Sequence, residues 1–309
     1  MRLEALFIDK FRSIDHVEIR DCGPFNVLIG KNNSGKSNIL SAIEAFFKVI
    51  HEGQLVTINS PIAQIVDFHN QETASPVSVT VRFFLNDGTT SELLSNIVSD
   101  APQMRNAVEA LRTSTRLSVT VNFTPPPDCF AYISAITLGE GADPAPAGRI
   151  LLRVEEQTAT ELYRRAARID ELEKDSRALT SIPERVPREW LRRSPEQRVP
   201  PRFLLGDAAR EAMDPGFERL VDTLMRQSET AEDFIRAART EAAKWDEEIA
   251  AIRNKPLGHP LNTFAGVDES IPNYISSLLR RLASAKILHL QERRKHIGRE
   301  EAGGFWSSK

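Results

Sequence analysis

The 309-residue sequence predicts an α/β fold: a core entered through a glycine-bracketed loop, an antiparallel β-lobe, and a helical insertion. Three observations carry that expectation. Residues 25–47, FNVLIGKNNSGKSNILSAIEAFF, pass from an apolar run through a polar loop into a helical pattern. Residues 77–85 (VSVTVRFFL) and 116–123 (RLSVTVNF) alternate apolar and polar side chains, the mark of an antiparallel sheet with one solvated face. After about residue 155 the chain becomes charged and helix-favouring, with no β-branched run.

Taken in order, Leu3–Ile8 is a short strand, and His16–Arg20 alternates with Val17 and Ile19 on one face. Phe25–Ile29 is a third apolar run, of the kind that forms a buried strand. Beyond the loop, Ile39, Leu40, Ile43, Phe46, Phe47 and Ile50 share one face of a helix. A helix is expected around Met104–Leu111. Further strands are expected at 130–137 (FAYISAIT) and 150–154 (ILLRV), separated by the turn-rich GEGADPAPAG.

Glu156–Leu179 reads as helix. Residues 182–201 hold five prolines and so are not expected to continue it. Helix returns at Phe217–Met225 and Ala231–Ile252, and again at Ile271–Ala283, where Tyr274, Ile275, Leu278, Leu279 and Leu282 share a face. The final feature, KILHLQERRK, is a short apolar strand running into a basic turn. The expected organisation is therefore residues 1–155 as the loop-bearing half, 156–283 as the insertion with a Pro/Arg-rich linker at 182–202, and 284–309 as a return strand and tail. There is no internal repeat and no sustained heptad, so a long coiled coil is not expected.

Composition excludes several classes. Hydrophobic residues at 41% and charged residues at 27% suit a globular chain, and a net charge of −3 argues against an overall basic nucleic-acid coat. Two cysteines, Cys22 and Cys129, are too few for a disulfide framework or a four-cysteine metal site, which suits a reducing compartment. The opening MRLEALFIDKF lacks a basic region followed by a sustained apolar one, and no eighteen-residue apolar run occurs. A cytoplasmic protein with no membrane partner is the expectation. The six histidines are scattered, without ligand spacing to cysteine or carboxylate.

Gly30-Lys31-Asn32-Asn33-Ser34-Gly35-Lys36-Ser37 matches G-x-x-x-x-G-K-[ST], the Walker A phosphate-loop pattern, at every fixed position. Glycines let the backbone approach a polyphosphate, and successive N–H groups form an anion nest. The helix that follows points its positive end at the same place. Lys36 would reach the β- and γ-phosphates and Ser37 would give its hydroxyl to Mg²⁺. Asn32 and Asn33 tolerate the left-handed backbone of a wrapped loop. With Ser34, Gly35 and the adjoining Asn38, these residues make the expected ATP–Mg²⁺ site.

The opening LEALFIDKFRSIDHVEIRDCGPFNVLIGKNNSGKSNIL resembles the N-terminus of RecF/SMC/OLD-like AAA ATPases of the ABC clan. Those proteins begin with a strand, an "I-x-N-F-[RK]-S" turn, a second strand and then "N-x-[IL]-x-G-x-N-[GN]-[SA]-G-K-[ST]". The counterparts here are Ile8–Ser13 and Asn26–Ser37, and the match covers about 45 residues. The resemblance implies an ABC-ATPase-like P-loop NTPase core, with the alternating strands as its antiparallel β-lobe. ILHLQERRK resembles the point where such chains return to the core. It further implies ATP as ligand, a homodimer of heads, DNA as a partner, and work in DNA repair, maintenance or phage defence. A glutamine that senses the γ-phosphate is implied after the first helix; Gln64 and Gln71 are the candidates, Gln71 being nearer the strand at 77. Arg12 is either a contact to phosphate or DNA, or a solvated turn arginine.

The family's hydrolytic half also needs an apolar Walker B strand ending in Asp-Glu, and a signature loop near L-S-G-G-Q. Asp170-Glu171 and Asp246-Glu247 sit in charged helices. Asp268-Glu269, after Phe-Ala-Gly-Val, is the nearest match, but its flanks GHPLNTF and SIPNY read as loop. The only Gly-Gly pair is Gly303-Gly304. The expectation is therefore an N-terminal portion or truncated member whose hydrolysis needs a second lobe. The alternative is a non-hydrolysing nucleotide-binding module or a remnant. Two arginine-rich stretches, 182–202 with Trp190, and Arg293, Arg294, Lys295 and Arg299, are either backbone-tracking patches for nucleic acid or solvated linkers.

Overall fold

A computed structural model describes residues 2–23, 26–31, 35–72, 74–85, 114–139, 149–185, 215–258 and 262–263. They form two compact units, one of residues up to Tyr163 with Gly258 and 262–263, the other of Arg164–Leu257.

The first unit is built on an eight-stranded sheet. Its strands are β1 (Arg2–Phe11), β2 (Ile14–Ile19), β3 (Val56–Thr57), β4 (Val77–Phe84), β5 (Arg116–Phe123), β6 (Ala131–Gly139), β7 (Arg149–Arg153) and β8 (Asn262–Thr263). The order is β2-β1-β4-β5-β6-β7-β8, with β3 also pairing β6. Every pairing among the described residues is antiparallel, as expected of the β-lobe.

Alternation decides which face is buried. In β4, Val77, Val79, Val81 and Phe83 point inward; directly opposite in β5 stand Phe123, Val121, Val119 and Leu117, also inward. Helix α1 (Lys36–Glu52) covers part of this face with Ala42, Ala45, Phe46, Val49 and Ile50, and Phe47 meets Phe83 at 6.3 Å between ring centres. Leu40, expected on the buried face, is 44% exposed. Arg116 of β5 donates its Nε to both carboxylate oxygens of Glu4 at 2.7 and 2.8 Å, linking β5 to β1 across β4.

One expected strand, Phe25–Ile29, is not formed among the described residues. Asn26–Gly30 lies outside every ladder, and Val27, Leu28 and Ile29 are 61%, 36% and 91% exposed. An apolar run predicts burial only if a neighbouring strand exists to bury it, and none of the described strands pairs here.

The second unit is helical: most of α2 (Glu156–Arg185), with α3 (Pro215–Gln227) and α4 (Ala231–Asn254). Its core is Leu179, Phe217, Val221, Met225, Phe234 and Ala238, with Trp245 packed against it. A Thr230–Asp233 capping box starts α4. Helix α2 continues through Pro183 into the segment whose prolines were expected to end it, and is described as far as Arg185. The first turns of α2 belong to the sheet unit, where Tyr163 stacks on Phe130 at 4.5 Å. The expected helices at 104–111 and 271–283, the return strand, Trp190 and both arginine-rich stretches beyond Arg185 lie outside the described residues.

Candidate phosphate-loop site

The loop's described ends meet through one side chain. The Lys36 ammonium donates to the carbonyl oxygens of Gly30 at 2.7 Å and Lys31 at 2.6 Å, so the lysine curls back over the segment that leads into the helix. Asn32, Asn33 and Ser34 lie outside the described residues. Gly35 caps α1 with φ 83°, a left-handed conformation that glycine adopts without steric cost. No side chain caps the first turn of α1 and no acidic residue lies in it. Its orphan N–H groups and positive dipole end are therefore not neutralised from within the helix. Ser37 is exposed beside Lys36.

The β1–β2 turn is joined to this helix start. Asn38 donates its amide to the Ser13 hydroxyl at 2.8 Å, and a Cβ at Gly35 would stand 3.6 Å from the same oxygen. Asn38, expected among the nucleotide-binding residues, is here engaged with protein.

Arg12 precedes Ser13 and is held from several sides. Its φ is 52°, a conformation costing a non-glycine residue about 1 kcal/mol or more unless the surroundings impose it. They do. The Arg12 N–H donates to Asp67 O at 2.9 Å, its Nε donates to the Asp67 carboxylate at 2.9 Å, and its carbonyl meets His69 Nδ1 at 2.9 Å. The guanidinium also lies 4.9 Å from the Phe11 ring centre, and Phe11 bridges to Phe68. Asp67 is buried, and its second oxygen accepts the Gln64 N–H at 3.4 Å. The strap Gln64–Gln71, two 3-10 turns at Ile65–Asp67 and His69–Gln71, thus clamps the arginine from 55 residues away.

Both glutamine candidates sit on this strap and both are exposed. Gln64 caps the first turn; Gln71 ends the second with φ 58°. No hydrogen bond joins either to the described loop residues. Asp268 and Glu269 lie outside the described residues. Asp67 and His69 went unrecognised in the sequence, where an isolated aspartate and histidine between apolar residues carry no motif.

A family model described as an AAA ATPase domain matches residues 1–256. Over 66 residues the chain is 41% identical to the DNA replication and repair protein RecF of Geobacter sulfurreducens, a match covering 20% of this chain and 18% of that relative. The chain thus spans under a fifth of the curated relative's length. Among the described residues no helix is long and apolar enough to cross a membrane.

Proposed function

Since the chain belongs to the AAA ATPase domain family, we propose that it binds ATP with Mg²⁺ at residues 30–38 and serves a RecF-like role in DNA repair or maintenance, or in phage defence. The observation that carries the reading is Lys36: an ammonium folded onto two carbonyls beside an uncapped helix start. A phosphate oxygen makes a stronger, charge-assisted partner than a neutral carbonyl, so anion binding is favoured over the curled state.

The residues present fit the ligand. Gly35 supplies close approach, the first turn of α1 supplies the positive end of the helix dipole, and Ser37 is the hydroxyl for Mg²⁺. Bound Mg²⁺ would offset charge on the β- and γ-phosphates. Arg12, fixed by Asp67, presents its remaining guanidinium N–H groups next to Ser13, for a phosphate or for nucleic acid. Hydrolysis needs a carboxylate to orient water; Asp268-Glu269 or a second lobe would supply it, with two heads closing around ATP. Binding without turnover is the alternative.

The test is calorimetric titration of the full chain with ATP and Mg²⁺, followed by phosphate release. Saturable binding lost in Lys36→Ala supports the site. Binding with no phosphate release selects the non-hydrolysing form, and turnover abolished by Glu269→Gln selects the internal carboxylate. No binding to the wild-type chain sinks the reading.

A further inference from the structure

The sheet face opposite the one that α1 covers takes no part in the phosphate-loop site. Cross-strand register fixes what it carries. Arg2 and Phe84 share one row, Arg82, Ser118 and Thr137 the next, and Phe7 and Arg153 the third. The three arginines run diagonally over β1, β4 and β7, across four strand spacings and four residues of rise. That diagonal is about 23 Å long.

Charge on this face is unbalanced. Its carboxylates are matched within the protein: Glu4 by Arg116, Glu18 by Arg20, and Asp9 by the His16 ring. Arg2, Arg82 and Arg153 pair with no carboxylate among the described residues. Arg2 and Arg153 are exposed, and Arg82 reaches only the Ser118 hydroxyl, at 3.4 Å. Arg2 stands 5.0 Å from the centre of the half-buried Phe84 ring, and Arg82 stands 5.3 Å from that of Phe7. The chain as a whole carries a net charge of −3 and does not attract a polyanion, so attraction is local to this face.

We propose that this face binds a single strand of nucleic acid along the Arg2–Arg82–Arg153 diagonal. The proposal rests on the nucleic-acid half of the RecF-like reading and not on the phosphate loop. Guanidinium groups take phosphodiester oxygens in charge-assisted hydrogen bonds, and the Ser118 and Thr137 hydroxyls add donors between them. Bases stack on aromatic rings and on the guanidinium groups that stand over them. A flat sheet face offers such platforms to unstacked bases, whereas a duplex keeps its base faces within its own stack.

Anisotropy of a labelled thymidine oligonucleotide, titrated with the full chain without ATP, tests this. Three phosphate contacts give a log–log salt slope of about −2, roughly a twentyfold loss of affinity between 50 and 200 mM salt. Arg82→Gln with Arg153→Gln is expected to weaken binding about tenfold and bring the slope to about −0.7. The ATP titration of that variant should match wild type. Arg153→Gln alone touches no ring and should still lower the slope by about 0.7. Ultraviolet cross-linking of the wild-type chain needs no substitution and should place adducts on Phe7 or Phe84. No binding by wild type overturns the proposal, as does a slope unchanged in the double variant, or adducts confined to other strands. Equal affinity for a duplex overturns the single-strand assignment. Oligonucleotide binding on these terms by a chain that takes no ATP would support this face while sinking the phosphate-loop reading.

Discussion

Lys36 and Arg12 are two cations linked through the Asn38–Ser13 hydrogen bond, and they are held by different kinds of partner. Lys36 donates to the backbone carbonyls of Gly30 and Lys31, groups of its own loop. Arg12 is paired to the Asp67 carboxylate, stacked over Phe11 and pinned through both its backbone N–H and its carbonyl. A neutral carbonyl yields readily to a phosphate oxygen, whereas displacing a carboxylate that is itself buried leaves a charge unpaired. The contrast separates a cation held by carbonyls of its own loop from one whose position is part of the fold.

The largest expected effect is on the exchangeable side. Lys36→Ala should weaken ATP by about a hundredfold, roughly 2.8 kcal/mol at tenfold per 1.4 kcal/mol, while far-UV circular dichroism and the unfolding midpoint stay unchanged. Fluorescent-nucleotide titration reads the first and urea unfolding the second. A variant that loses stability as much as affinity would break the contrast, because the lysine would then be structural.

Asp67→Ala tests the fixed side and reverses the pattern. It removes the carboxylate that holds a strained residue, so the sheet unit should lose about 2 kcal/mol of stability. ATP affinity should fall less than in Lys36→Ala. Asp67→Asn keeps the shape and one acceptor and should cost about half as much. Urea midpoints followed at a β-sheet wavelength give the comparison; unchanged midpoints for both variants would show that the strap does not hold the turn. Asn38→Ala, between the two cations, should cost about 1 kcal/mol and weaken ATP by a few-fold, readable in the same two assays.

How much of this the sequence carried depends on the range of each interaction. Strict alternation located Arg116–Phe123 to the residue, and Val77–Phe84 to within one, because a period of two is written in adjacent residues. The helix after the loop was equally plain from its spacing. Phe25–Ile29 was read as a buried strand from its apolar run rather than from a period, and hydrophobicity alone does not say where a partner strand comes from. Asp67 was invisible for a related reason. Its partner lies 55 residues earlier, and an ion pair at that separation leaves no local pattern. Asn38 was placed with the ligand by adjacency to the loop motif; that its amide also holds Ser13, 25 residues earlier, left no local pattern to read.

The smallest effect concerns a neutral group held by burial rather than by charge. Tyr132 of β6 is 2% exposed, and its hydroxyl accepts the Asn122 amide at 3.2 Å. Burial pushes its phenol above the ordinary value, with the Asn122 hydrogen bond opposing. The folded chain therefore keeps this proton at pH values where the unfolded chain has released it. Its contribution is fully present below about pH 10 and falls as pH rises through the folded value. Tyr132→Phe should cost about 1 kcal/mol at pH 7 by leaving the Asn122 amide unpaired, and should lose stability more gently than wild type above pH 10. Urea midpoints of both proteins at pH 7, 9 and 10.5 cancel the background from other titrating groups. Parallel declines would mean that Tyr132 ionises equally in both states. A converging pair would show that burial in the fold keeps the Tyr132 phenol protonated.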